Sequence, residues 1–275
     1  MTTDAATDTP PPAETPRWSS YVAVGDSFTE GLWDTDPASP GRCRGWADRL
    51  AASLSARRVA GGQEPLRYAN LAVRGKLLGP IIADQVPRAL ALEPGLVSLV
   101  GGGNDILRPR ADVDLLSQRL EDAVVRLRAA GADVLLATGF DASESPVVSL
   151  TRSRVGVYNT NIWSIARRHG AHVLDLWGMR ALQDWRVWAS DRIHLTDEGH
   201  RRVADAALVG LGLAPDDADW DAPLAALPRA PFSERARGNA RWAREYVGPW
   251  IGRRLRHESS GDGRAAKYPD LTDWP

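Results

Sequence analysis

Five short apolar segments recur along the chain, and their uninterrupted apolar character predicts buried strands. They are Ser20–Gly25, Leu66–Leu71, Gly95–Val100, Asp133–Thr138 and His172–Leu176. Apolar residues at helical spacing follow each of them: Trp46–Arg58, Leu77–Leu90, Val113–Ala130, Val155–His169 and Asp197–Leu211. Strands that alternate with helices are typical of parallel sheets with right-handed crossovers. We therefore predict an α/β protein, a three-layer α/β/α sandwich around a doubly wound, five-stranded parallel sheet.

The same pattern divides the chain into three parts. Residues 1–16 contain four prolines and few apolar side chains, which predicts a disordered leader. Residues 17–213 carry all the predicted strands and the helices between them, and we expect them to form one domain. Residues 214–275 form a C-terminal extension of different composition.

The extension begins with an acidic segment, Ala214–Asp221, and continues with a segment rich in arginine and tryptophan. Small apolar residues recur at helical spacing and predict a helix: Ala236, Ala240, Ala243 and Val247. Gly248 and Pro249 follow, and we expect the helix to stop there. We expect this extension to be helical, with its aromatic side chains packed on the domain and its arginines in solvent. A surface for anionic lipid or for a partner is the alternative.

Composition narrows the class of protein. A hydrophobic share of 43% and a charged share of 25% are those of an ordinary globular protein. The net charge of -1 argues against nucleic acid as a partner. One cysteine, Cys43, cannot form an intramolecular disulfide. The N-terminus has no signal-peptide pattern and no apolar stretch is long enough for a membrane helix, so we expect a cytoplasmic protein without integral membrane association.

A serine directly follows the first predicted strand. The segment GDSFTEG places Ser27 at the strand-to-helix corner, on the carboxyl edge of the sheet, where its hydroxyl can face a cleft. A serine hydroxyl is a weak nucleophile unless a base and a set of oxyanion donors lie beside it. The rest of the chain should therefore supply both kinds of group.

A base and a carboxylate occur together near the end of the domain. Asp191 and His194 are three residues apart in DRIH, just before a helix that Thr196 can cap. A turn at this place would let the Asp191 carboxylate orient the His194 ring, so that the other ring nitrogen takes the Ser27 proton. The spacing predicts a Ser27–His194–Asp191 catalytic triad.

The oxyanion donors are expected from two further strand ends. Asn104 follows three glycines in GGGND, and Gly75 ends the segment NLAVRG. With the backbone N–H of Ser27, they would supply three hydrogen-bond donors at one sheet edge.

These four segments, taken in order, resemble the SGNH (GDSL-type) hydrolases, a family of esterases and lipases, over about Tyr21 to Leu211. The resemblance implies a flavodoxin-like fold and a serine esterase that hydrolyses carboxylic esters through an acyl-enzyme, with small acyl or acetyl esters as the first candidates. It implies Ser27 as nucleophile, His194 as base and Asp191 as its partner, and Ser27, Gly75 and Asn104 as the oxyanion hole. It implies a small-molecule ester substrate. The five histidines are too scattered for an obvious metal site, and we expect neither cofactor nor metal.

Other interpretations stay open. A lysophospholipase, a thioesterase or a carbohydrate acetylesterase would use the same residues, and a non-catalytic module that binds a small ligand and recruits a partner through its extension would also fit. His200 is the nearest rival base, but its place inside a helix favours a packing role. Trp185 and Trp188 lie close to DRIH. We expect them to pack in the core rather than to form the wall of a pocket. Gly101–Gly103 lack the spacing of a phosphate-binding loop.

Overall fold

A computed structural model describes residues 15–39, 41–141, 148–226, 231–249 and 259–275. Residues 1–14 of the predicted leader lie outside the described residues, as do Trp250 and His257. The division of the chain into leader, domain and extension stays a prediction.

The centre of the protein is one six-stranded sheet in the order β5-β4-β3-β1-β2-β6. Its strands are β1 (Ser20–Val24), β2 (Arg67–Asn70), β3 (Leu96–Leu99), β4 (Asp133–Ala137), β5 (His172–Leu174) and β6 (Tyr268–Asp273). The first five pair in parallel, each within the segment predicted for it. The mixed α/β fold is therefore confirmed.

The predicted strand number, five, is wrong because the extension adds β6. This strand pairs antiparallel with β2, with Tyr68 opposite Thr272 and Asn70 opposite Tyr268. It lacks the apolar run of a central strand because it is an edge strand, and Pro269 is tolerated at such an edge. Its partner lies about two hundred residues earlier in the chain, so no local pattern announces it.

Helices cover both faces of the sheet. The helices of the described residues are α1 (Ser27–Glu30), α2 (Trp46–Ala60), α3 (Leu78–Pro80), α4 (Val86–Ala91), α5 (Gly103–Ile106), α6 (Val113–Ala129), α7 (Arg152–His169), α8 (Asp197–Gly210) and α9 (Phe232–Trp242). Side chains of β1 alternate between two cores: Tyr21 and Ala23 pack with α2 and α8, whereas Val22 and Val24 pack with α4, α6 and α7. An apolar layer therefore covers each side of the buried strands.

Two predicted helices differ from the observed ones. The helix predicted over Leu77–Leu90 is divided into α3, a π-helical turn (Ile81–Gln85) and α4, because Pro87 has no N–H to continue a regular helix. In the extension, a π-helical turn (Ala243–Val247) follows α9. The helix does not stop at Gly248, which keeps helical torsions (φ -57°, ψ -55°). No helix within the described ranges is long and apolar enough to cross a membrane.

Candidate active site

The strand-to-helix corner after β1 presents Ser27. Asp26 caps α1 by accepting a hydrogen bond from the Phe28 N–H (3.1 Å), so Ser27 is the first helical residue and its own N–H has no partner within the helix. Gly25 makes the corner possible. A Cβ at that position would stand 2.8 Å from the Val100 carbonyl oxygen, closer than a side chain can approach.

The turn before α8 brings a base to this serine. The His194 Nε2 atom lies 2.8 Å from Ser27 Oγ, although the two residues are 167 positions apart. The other ring nitrogen, Nδ1, lies 2.6 Å from Asp191 Oδ2. Asp191 Oδ1 accepts hydrogen bonds from the backbone N–H groups of Ile193 and His194, both at 3.0 Å. The structure thus places the three predicted residues in one hydrogen-bonded chain.

The Asp191 carboxylate is held in its charged form. Burial alone would raise its pKa, but the hydrogen bond and charge of His194, together with the two backbone N–H donors, lower the pKa below its usual value. A charged carboxylate at Nδ1 fixes the ring orientation and stabilises an imidazolium. The arrangement can therefore take a proton from Ser27 and hold it on His194.

The predicted oxyanion donors lie beside the same serine. Ser27, Gly75, Asn104 and His194 line one cavity. Gly75 has φ +74°, which glycine adopts without strain. The Asn104 amide donates to the Lys76 carbonyl oxygen and to Asp26 Oδ2, both at 3.1 Å. The side-chain amide of Asn104 could therefore donate to a substrate by exchanging one of these two hydrogen bonds.

A second cavity, which is also lined by Ser27 and His194, is mainly apolar. It extends between α5, α7 and the ends of β3 and β4, and its walls include Ile106, Leu107, Phe140, Val155 and Leu176. The described residues include no group of three or more His, Cys, Asp or Glu side chains that could hold a metal ion.

Residues 23–202 match the model of the GDSL-like Lipase/Acylhydrolase family, which is well over half of the chain. The chain belongs to this family. It is therefore a carboxylic ester hydrolase, and the resemblance stated from the sequence is confirmed. No curated protein matches the sequence.

Solved structures share the fold of this hydrolase. LAE5, an α/β hydrolase enzyme from the metagenome of Lake Arreo, is 25% identical with a TM-score of 0.59, over 70% of this chain and 95% of that one. Axe2, an acetylxylan esterase from Geobacillus stearothermophilus, is 20% identical with a TM-score of 0.58, over 70% and 94%. TesA is 24% identical with a TM-score of 0.54, over 70% and 97%.

Sequence reasoning missed the side chains that hold the Ser27 corner of the hydrolase. Gln85, in the π-helical turn, accepts from the Gly25 N–H (2.8 Å) and donates to the Gly25 carbonyl oxygen (2.9 Å). Asp26 holds Asn104, and burial raises the pKa of Asp26 to about 6. The position of Asp26 directly before the serine was a usable signal. Gln85 gave none, because its pairing depends on how α4 packs on the sheet.

A buried ion pair holds the Gly75 segment. The Arg74 guanidinium pairs with the Glu30 carboxylate, which also accepts a hydrogen bond from the Arg74 backbone N–H (2.7 Å). Both side chains are mostly buried. Glu30 of α1 therefore fixes the loop that precedes Gly75 relative to Ser27.

The rival residues lie elsewhere. His200 is 1% exposed and packs against Phe28. Its Nδ1 faces the Trp46 N–H (3.3 Å), and its Nε2 faces the Leu32 carbonyl oxygen (3.4 Å). Burial lowers the pKa of His200 to about 3, so the ring is neutral. Trp188 is buried against Phe140, with ring centroids 4.5 Å apart. These contacts are those of packing residues.

Proposed function

We propose that this hydrolase cleaves its ester through a covalent acyl-enzyme on Ser27. The observation that carries the proposal is the hydrogen-bonded chain from Ser27 Oγ through His194 to Asp191. In the first step Ser27 Oγ bonds to the acyl carbon while its proton passes to His194 Nε2. The carbonyl oxygen becomes an oxyanion that accepts hydrogen bonds from the backbone N–H groups of Ser27 and Gly75 and from the Asn104 amide.

Collapse of this intermediate breaks the ester bond. The departing alkoxide takes the proton from His194, and the acyl group stays on Ser27 as an ester. A water molecule then gives a proton to the same histidine and attacks the acyl carbon, and the proton returns to Ser27 when the acid leaves. The negative charge of Asp191 stabilises His194 each time the ring is protonated.

Small acyl or acetyl esters are the first substrate class of the proposal. The apolar cavity beside Ser27 favours a second one, esters or thioesters with longer acyl chains, because its aliphatic and aromatic walls would cover methylene groups. The chain length of best turnover distinguishes the two classes.

Turnover of p-nitrophenyl acetate tests the proposal, with a series of p-nitrophenyl esters of increasing chain length to define the acyl preference. Ser27→Ala and His194→Ala should abolish turnover while the thermal unfolding curve stays that of a folded protein. A fluorophosphonate probe should label the wild type at Ser27, as mapped by mass spectrometry. Undiminished activity in either variant would refute the mechanism, and so would an unlabelled wild type.

A further inference from the structure

The helix α9 of the C-terminal extension lies outside the residues that match the family. It nevertheless contacts the catalytic turn, residues 190–194, which contains Asp191 and His194. Among the side chains described in α9 and the π-helical turn after it, only Trp242 is buried, at 5% exposure. The described side chains of this segment therefore bury little apolar surface, and general core packing contributes little through them. The contacts that this segment does make are therefore informative.

Three of these contacts converge on Ser190–Arg192. The Trp242 indole N–H donates to the Asp191 carbonyl oxygen at 2.8 Å. The Tyr246 hydroxyl donates to Ser190 Oγ at 2.8 Å. Asn239 Oδ1 accepts a hydrogen bond from the Arg192 guanidinium at 2.7 Å. Three consecutive residues of the catalytic turn are thus each held by a different residue of the extension.

The turn has an unfavourable backbone at its centre. Arg192 has φ +57°, in the left-handed region that a residue with a Cβ avoids. Its guanidinium lies between two indole rings, 5.2 Å from the centroid of Trp242 and 5.5 Å from that of Trp185. Cation–π contacts and the Asn239 hydrogen bond favour this conformation from outside the turn.

The turn also sets the geometry of the triad. Asp191 Oδ1 must face two backbone N–H groups at once, those of Ile193 and His194, while Oδ2 faces His194 Nδ1. A rotation at Arg192 would move these N–H groups away from the carboxylate. The position of His194 relative to Ser27 therefore depends on the conformation of Arg192.

We infer that the extension is a positioning element for catalysis, in which Trp242, Tyr246 and Asn239 hold the catalytic turn so that His194 reaches Ser27. This inference rests on the proposed function, because it assigns these residues to the same triad. None of the three touches the reacting atoms. Their loss should slow the chemical step more than it weakens substrate binding.

The test compares two tryptophan-to-phenylalanine variants of the full-length protein. Trp242→Phe keeps an aromatic ring but removes the N–H that holds Asp191. Trp163→Phe is the matched control, since Trp163 is 49% exposed on α7, away from the turn. With p-nitrophenyl acetate we expect Trp242→Phe to lower kcat by about tenfold with KM changed by less than about twofold, and Trp163→Phe to change neither.

Tyr246→Phe removes one hydroxyl from a half-buried side chain and serves if Trp242→Phe does not fold. We expect it to lower kcat by about threefold, again without a matching rise in KM. The rate of fluorophosphonate labelling at Ser27 should fall in parallel with kcat, because labelling depends on the same proton transfer.

The outcomes separate the two proposals. An inactive, unlabelled wild type contradicts the acyl-enzyme mechanism itself. If the wild type is active and the folded variants keep its kcat to within about twofold, the positioning role is overturned and the acyl-enzyme mechanism stays in place. A rise in KM without a fall in kcat also overturns it, since that result would place these residues in substrate binding.

Discussion

Lys267 offers a sharp test of how the C-terminal segment stabilises the hydrolase. Its ammonium group donates to the Glu30 carbonyl oxygen (2.6 Å), to the Cys43 carbonyl oxygen (2.9 Å) and to the Asp48 carboxylate. The side chains of Lys267 and Asp48 are only 10% and 2% exposed. Lys267→Met keeps most of the side-chain volume and removes the charge.

The expected loss of stability depends on the hydrogen bonds that the Asp48 carboxylate keeps. This carboxylate still accepts hydrogen bonds from the Tyr68 hydroxyl (2.9 Å), the Gly45 N–H (2.8 Å) and the Asn70 amide (3.4 Å), but it has lost its closest positive charge. Removal of one partner of a buried ion pair costs about 3 to 5 kcal/mol. Since three hydrogen-bond donors remain, we expect the free energy of unfolding to fall by about 3 kcal/mol, the lower end of this range. For a chain of this size that lowers Tm by roughly 6 to 12 °C.

Urea unfolding and calorimetry measure the two quantities. Lys76→Met is the matched control, because Lys76 is the other lysine of the sequence and its ion pair with Asp84 is long (3.7 Å) and exposed. An exposed pair of this kind contributes less than about 1 kcal/mol. A second substitution, Asp48→Asn in the Lys267→Met background, should recover part of the loss because it removes the lone buried charge. Equal losses in the two lysine variants would refute the reasoning.

Three further predictions concern other residues of the same protein. Burial holds the His200 pKa near 3, so from about pH 6.5 down to about pH 3 only the unfolded state takes up a proton at this residue. The free energy of unfolding should therefore fall by up to about 1.4 kcal/mol for each unit by which the pH is lowered in this range. His200→Gln should lose that part of the slope in urea titrations at several pH values, and an unchanged slope contradicts this. Asp191→Asn keeps a side-chain acceptor but removes the negative charge, so kcat/KM for p-nitrophenyl acetate should fall by roughly 100-fold or more while remaining measurable; wild-type kcat/KM would disprove the role of the charge. Gly261→Ala should lower the free energy of unfolding by about 1 to 3 kcal/mol, because its Cβ would stand 2.0 Å from the Arg74 carbonyl oxygen, whereas Gly79→Ala meets open space and should cost nothing.

The predictable part of the fold is the part that local pattern encodes. Strands buried on both faces need continuous apolar segments, so β1 to β5 stand within their predicted ranges. No residue of β6 is fully buried and the strand carries Pro269, so its composition is that of a loop. Only its pairing with β2 makes it a strand.

The candidate site was predictable for a topological reason. The carboxyl ends of parallel strands meet at one edge, so Ser27, the Gly75 N–H and Asn104, which follow the first three strands, were expected to lie together. Asp191 and His194 are close in sequence, so a single turn is enough to bring their side chains together.

The sequence by itself therefore determined which residues form the parallel strands and which chemical groups stand at their ends. Tertiary structure decided the contacts that hold these groups in place: Gln85 on Gly25, Asp26 on Asn104, and Trp242 on Asp191. The physical reason is that periodicity and turn chemistry act over a few neighbouring residues. A hydrogen bond between distant segments depends on how whole elements pack, which no single stretch of sequence contains.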